Sequence, residues 1–207
     1  MTVRVKICGV TQPEQAREIE HLGAEYLGVV FAKSKRRITT DVAKRIRDAA
    51  PNVQLVGVFV NERISTICEI ALDVGLDAVQ LHGDEEPDVI EDLSDVAEII
   101  KAIPVDHELS PEDEAIAAWP EILLDTPDSK ARGGVGRRFD LELAAGLAGL
   151  ARPRVFVAGG LAPDNVAEVV RALRPFAVDV SSGVESAPGV KDIAAVASFI
   201  RNAKAVK

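Results

Sequence analysis

Arg154-Val-Phe-Val-Ala158-Gly159-Gly160-Leu-Ala-Pro163-Asp164-Asn165-Val-Ala-Glu-Val-Val-Arg-Ala-Leu173-Arg-Pro-Phe176-Ala-Val-Asp179-Val-Ser181-Ser182-Gly183 is the stretch that decides the fold. After its leading arginine the first run is apolar without alternation, the pattern of a strand covered on both faces. A glycine pair breaks the run. Pro163 and Asp164 then open a segment, Asn165 to Leu173, whose apolar residues fall three and four apart as on one helix face. A second apolar run, Phe176 to Val180, follows and stops at Ser181-Ser182-Gly183. Strand, glycine loop, helix and strand within about 30 residues make a βαβ unit with parallel strands.

The same unit repeats outward. Apolar runs at Val3 to Cys8, Tyr26 to Phe31, Leu55 to Val60, Ala78 to Leu81, Glu98 to Ile103 and Ile122 to Asp125 complete a set of eight strands. Helical spacing appears at Pro13 to Leu22, Asp41 to Ala50, Ile64 to Val74, Pro87 to Leu93, Leu141 to Leu150 and Asp192 to Ala203, as well as at Asn165 to Leu173. Thr11 with Pro13 and Thr40 are start signals for the first two. A repeat of roughly 25 residues leaves room only for strand, loop and helix. The fifth unit differs: Pro104, Pro111 and Pro120 punctuate an acidic stretch, so its helix is short or missing. Eight units without a long linker predict one closed (β/α)8 TIM barrel over residues 1–207 rather than an open doubly wound sheet.

Composition narrows the function classes. A hydrophobic fraction of 47% with 28% charged residues over 207 positions fits one folded core. The net charge of −9 opposes nucleic acid and anionic membranes as partners, but not a small anion held locally. Two cysteines, Cys8 and Cys68, form neither a disulfide framework nor a metal-ligand spacing, so a reducing, cytoplasmic setting and no metal are expected. The first residues are too short and too charged a run for a signal peptide or a membrane span. The sequence leaves monomer and homodimer open.

The strand ends carry the chemistry, because parallel barrels place their sites at the carboxyl ends of the strands. Gly159-Gly160 and Ser181-Ser182-Gly183 close consecutive strands, and glycine amides with serine hydroxyls after strands seven and eight suit a phosphate. Cys8 ends the first strand as either a thiolate base or a small buried hydrophobe. Asp125 ends an apolar strand with no clear helix to cap, which suits a general acid. Arg36, in a cluster of four cations after the second strand, offers a fork for a carboxylate or phosphate. His82 is either a donor at the mouth or a satisfied structural histidine, and Asp179 either contacts substrate or orients the neighbouring loops. The glycines around Gly134 suit either a closing loop or a plain connection.

These residues, in this order, resemble the phosphoribosylanthranilate isomerase family of tryptophan biosynthesis. The resemblance is carried by Lys6-Ile-Cys8-Gly9-Val-Thr11, Ser34-Lys35-Arg36, Gly57-Val-Phe-Val-Asn61, Val79-Gln-Leu-His-Gly83, Leu123-Leu-Asp125, Gly133-Gly-Val-Gly136 with Phe139-Asp140, Gly159-Gly-Leu, and Asp179-Val-Ser-Ser-Gly-Val-Glu185. It implies a cofactor-free, metal-free Amadori rearrangement of N-(5-phosphoribosyl)anthranilate to 1-(2-carboxyphenylamino)-1-deoxyribulose 5-phosphate. Asp125 matches the general acid, Cys8 the general base and Arg36 the holder of the anthranilate carboxylate, with Gly159, Gly160, Ser181, Ser182 and Gly183 around the phosphate. The chain departs from the family in a connection after Phe31 that is one residue shorter, in Leu141 where tryptophan is common, and in Arg137 and Arg138. A related isomerase of histidine synthesis would be expected to carry aspartate where Cys8 stands, and a longer chain. A non-catalytic phosphosugar-binding barrel would need neither Cys8 nor Asp125.

Overall fold

The computed structural model describes residues 2–125, 141–142, 144–148 and 153–206. Eight parallel strands, β1 (Arg4–Cys8), β2 (Tyr26–Val30), β3 (Gln54–Phe59), β4 (Ala78–Leu81), β5 (Glu98–Pro104), β6 (Glu121–Asp125), β7 (Arg154–Val157) and β8 (Ala177–Val180), pair in sequence order and close through β8 on β1. The closing register sets Lys6 beside Asp179 and Ile7 beside Val180. Helices α1 (Pro13–His21), α2 (Thr40–Ala49), α3 (Ile64–Val74), α4 (Val89–Leu93), α5 (Glu114–Ala117), α6 (Val166–Leu173) and α7 (Ile193–Lys204) lie in the connections. The fold is therefore the (β/α)8 barrel expected from the repeating unit.

Side-chain alternation separates two cores. Val5, Ile7, Leu27, Val29, Leu55, Val79, Ile122, Leu124 and Val155 belong to the layer that also holds the apolar helix faces. Tyr26, Val56, Ala78, Ile100, Ala102, Leu123, Phe156, Ala158 and Ala177 form a second cluster that fills the barrel. Bulky and small residues share that space, and Phe156 meets Tyr26 and Phe176 edge to face at 5.4 Å. The amino-terminal end is plugged by charge and rings: the Arg4 and Arg154 guanidiniums lie 4.8 and 4.9 Å from the Phe176 centroid, and Arg154 pairs with Glu121. This end therefore serves stability, and the opposite end is left for chemistry.

Three local expectations change. Thr11 does not cap α1; Gln12 holds that position, and the Thr11 hydroxyl donates to the Gly189 carbonyl at 2.6 Å. The second helix is capped by Thr39, whose side chain accepts from Val42 N–H. In place of a helix over 141–150, the described residues there form a 3-10 turn at Ala145–Leu147. Gly146 approaches the Leu109 carbonyl so closely that a Cβ would lie 2.4 Å from its oxygen, and glycine also weakens a helix intrinsically. A hairpin absent from the sequence reading, β9 (Glu185–Ala187) against β10 (Val190–Lys191), follows β8.

Phe156→Ala is expected to cost about 3 to 5 kcal/mol, because the closed barrel cannot collapse into the space left behind. Urea unfolding should show a lower midpoint at an unchanged slope.

Candidate active site

The sites proposed from sequence gather at the carboxyl ends of the strands, and Gly9 is where three of them meet. Gly9 follows β1 with φ of +75°, and a Cβ there would lie 2.5 Å from Arg36 Cδ and 3.1 Å from Ser181 Oγ. Arg36 thus crosses the backbone next to Cys8. Gly28 on β2 makes the matching allowance on the other side, since a Cβ there would come within 2.7 Å of Cys8 Sγ. Side chains at either glycine would push the arginine or the thiol out of place.

Cys8 is buried beside two lysines. Burial pushes its thiol above the ordinary range, against the opposing pull of the Lys6 and Lys191 ammoniums. Lys6 has no exposure; burial disfavours its charge, but Asp179 at 3.2 Å and Cys8 raise its pKa above the usual lysine value. Burial likewise pushes Asp179 up, against the pull of Lys6, and the charge of Asp125 adds to the rise. Asp179 and Asp125 therefore interact across one mouth. Asp179 Oδ1 is buried with no hydrogen-bond partner among the described residues, so it is a ready acceptor.

Arg36 is held by Glu185 in a two-point fork, Nε to Oε1 at 2.8 Å and Nη2 to Oε2 at 2.6 Å. Lys191 Nζ reaches the same carboxylate at 2.7 Å. Burial works upward on Glu185, but Arg36 and Lys191 overcome it and hold the carboxyl down at about 2. The fork leaves the Nη1 edge of Arg36 without a partner among the described residues.

On the far side, Asp125 Oδ2 and His82 Nε2 are 3.2 Å apart, and His82 Nδ1 lies 2.8 Å from Gln80 Nε2. The loop behind His82 is braced: Gly83 N–H donates to Glu85, Lys101 Nζ donates to the Gly83 carbonyl, and Asp84 N–H donates to the Asn61 side chain. His82 is thereby fixed against the barrel rim.

The two glycine loops touch. Gly183 sits so close to Leu161 that a Cβ would lie 2.0 Å from the Leu161 carbonyl oxygen. Asn165 clamps the first loop by donating to the Gly160 carbonyl and accepting from Ala162 N–H. The backbone N–H groups of Gly159, Gly160, Ser182 and Gly183 take no partner among the described residues, which leaves donors for an anion.

Sequence reading missed Lys6, Glu185, Lys191 and Gln80. Gly134, Arg137 and Arg138 lie outside the described residues, and Leu141 packs partly buried against the outer core. A cleft of about 510 Å³ opens beside the carboxyl ends of β2 and β3, around Phe31, Ile38, Phe59 and Ile70, and none of the candidate site residues lines it. Among the described residues, no three His, Cys, Asp or Glu side chains gather as metal ligands would, and no helix is long and apolar enough to cross a membrane.

A closed parallel barrel with titratable groups gathered at its carboxyl mouth defines a (β/α)8-barrel enzyme. Residues 5–202 match the family described as N-(5'phosphoribosyl)anthranilate (PRA) isomerase. The N-(5'-phosphoribosyl)anthranilate isomerase of Pelobacter propionicus is 43% identical over 98% of this chain and 96% of its own length. The crystal structure of phosphoribosyl anthranilate isomerase from Thermotoga maritima superposes with a TM-score of 0.87 at 41% identity, covering 99% of this chain and 100% of that one. A structure of such an enzyme in complex with reduced 1-(o-carboxyphenylamino)-1-deoxyribulose 5-phosphate gives a TM-score of 0.86, also at 41% identity and with the same coverage. The chain belongs to the N-(5'-phosphoribosyl)anthranilate isomerase family, and so to the isomerases.

Glu185→Gln should lower stability at neutral pH. The folded carboxyl sits at about 2 against an ordinary 4.5, so its stabilisation is complete above the higher value and is lost as pH falls through the lower one. Denaturant titrations of wild type and variant should therefore converge as the pH falls toward about 2.

Proposed function

We propose that this chain carries out the Amadori rearrangement of N-(5-phosphoribosyl)anthranilate, with Asp125 as general acid and Cys8 as general base. The observation that carries the reading is the pairing of a carboxylate braced by His82 at the end of β6 with a thiol flanked by Lys6 at the end of β1 of the same barrel mouth. Asp125 donates a proton to the ribose ring oxygen as the C1–O bond breaks, and the nitrogen lone pair closes a C1=N iminium. Cys8 then removes the C2 proton, and those electrons form the C1=C2 bond and neutralise the iminium. Protonation at C1 with loss of the C2 hydroxyl proton gives the ketone.

The raised thiol pKa bears on the order of events. Cys8 rests as a thiol, and the positive iminium that forms after ring opening adds to Lys6 and Lys191 in favouring the thiolate. Acid before base is the order that this electrostatics supports. The free Nη1 edge of Arg36 would take the anthranilate carboxylate, and Asp179 Oδ1 would accept from a substrate N–H or O–H. Gly159, Gly160, Ser181, Ser182 and Gly183 would cradle the phosphate with their unpaired amides and hydroxyls. Cys8 counts against the histidine-pathway alternative, for which an aspartate would be expected at that strand end.

Purified protein in metal-free buffer should consume phosphoribosylanthranilate with loss of its fluorescence; a folded sample without turnover overturns the reading. Asp125→Asn and Cys8→Ser should each lower kcat by about a hundredfold or more, the scale of lost acid or base catalysis. Arg36→Met should act chiefly on KM, by the loss of a charge-assisted contact of about 1.5 to 3 kcal/mol. With a raised Cys8 pKa, activity limited by the base should rise with pH to beyond the ordinary thiol value of 9.0, which a pH profile of kcat/KM would record.

A further inference from the structure

We infer that Gln80 is a positioning residue that fixes the ring tautomer of His82, so that His82 donates a hydrogen bond to Asp125 and leaves the other carboxyl oxygen to carry the transferable proton. The inference rests on the proposed role of Asp125 as the acid. Its starting point is Lys6, which lies 2.9 Å from Gln80 Oε1 inside the barrel. A lysine ammonium has three donors and no acceptor, so the amide atom facing it must be the oxygen. Gln80 is itself buried and cannot turn to solvent. Its NH2 group therefore faces His82 Nδ1 at 2.8 Å, and that nitrogen must present a lone pair.

The ring proton is then on Nε2, which points at Asp125 Oδ2 at 3.2 Å. The direction of every hydrogen bond from Lys6 to Asp125 follows from one fixed charge. Asp125 Oδ1 takes no partner among the described residues and remains for the substrate. When Asp125 gives up its proton, the His82 N–H already faces the new carboxylate and stabilises it without reorganisation. His82 cannot act as the proton store, because Nε2 already carries a hydrogen and Nδ1 is occupied by the Gln80 amide.

Two-bond proton–nitrogen NMR of the histidine rings tests this directly. With only His21, His82 and His107 in the chain, a His82→Asn variant assigns the signal. Wild-type His82 should show an unprotonated Nδ1 and a protonated Nε2. Gln80→Met, which cannot donate, should release the ring to a mixture of tautomers. Gln80→Glu, which brings a carboxylate to Nδ1, should protonate both nitrogens. Gln80→Met should lower kcat by roughly tenfold to a hundredfold, the size of a hydrogen bond to a charged group, with KM little changed. A wild-type ring protonated at Nδ1 overturns the inference even if neither variant folds, as does a pattern that neither substitution moves or an effect confined to KM. Such results with wild-type turnover intact leave the proposed reaction standing; absent turnover removes the reaction and leaves the tautomer measurement valid.

Discussion

A lysine ammonium with no solvent exposure, Lys6 in the middle of β1, is the constraint around which the mouth of this barrel is organised. A buried charge is tolerable only when its partners are close and its donors are used, and removing one partner of such a pair typically costs about 3 to 5 kcal/mol. Lys6 uses Asp179 on β8 and Gln80 on β4, and its field bears on Cys8 two residues along its own strand. Three strands are thus tied by one cation. Through Asp179 it sets an acceptor at the rim; through Gln80 it reaches His82 and Asp125; beside Cys8 it opposes the rise that burial imposes on the thiol. A neutral residue in its place would leave Asp179, Gln80 and Cys8 without the one charge they share.

A second charge group performs the same service at the rim. Glu185 sits on a hairpin outside the eight-unit repeat, yet it orients Arg36 from the second unit and pairs with Lys191 of its own hairpin. Thr11 and Gln15 fasten the hairpin to the start of α1, through the Gly189 carbonyl and through both backbone groups of Lys191. The arginine is therefore already oriented at the rim, with little side-chain freedom left.

The parts of this arrangement that sequence could reach are those encoded locally. The strands were readable because both faces of a covered parallel strand are apolar, and Cys8, Asp125, Asp179 and His82 stood out because each interrupts such a run. Glycines that let two elements approach, such as Gly9 beneath Arg36, were visible as glycines but not as crossings. The pairing of Arg36 with Glu185 spans 149 positions, and no local pattern announces it. Lys6 was the recoverable omission: Arg4, Lys6 and Cys8 alternate with Val5 and Ile7, so a barrel already implied that a lysine faced its interior and needed partners. The reading of 141–150 as a helix failed for the opposite reason. Apolar spacing was present, but Gly146 is held against the Leu109 carbonyl, and close tertiary contact outweighed a weak propensity.

The polarity of the network follows from the same asymmetry. A chain of amide and imidazole groups can usually run in either direction, because each member can donate or accept. A lysine at one end removes that freedom, since it only donates. The direction set at Lys6 passes to Gln80, then to His82, and arrives at Asp125 as an N–H rather than a lone pair. Had the interior cation been replaced by a carboxylate, the same geometry would have presented His82 to Asp125 in the opposite sense, as an acceptor. It would then compete for the proton of the proposed acid instead of stabilising its carboxylate. The charge sign of one residue at the centre of the barrel thus decides whether His82 meets Asp125 as a donor or as an acceptor, and so whether it would assist or oppose the proton donation proposed for Asp125.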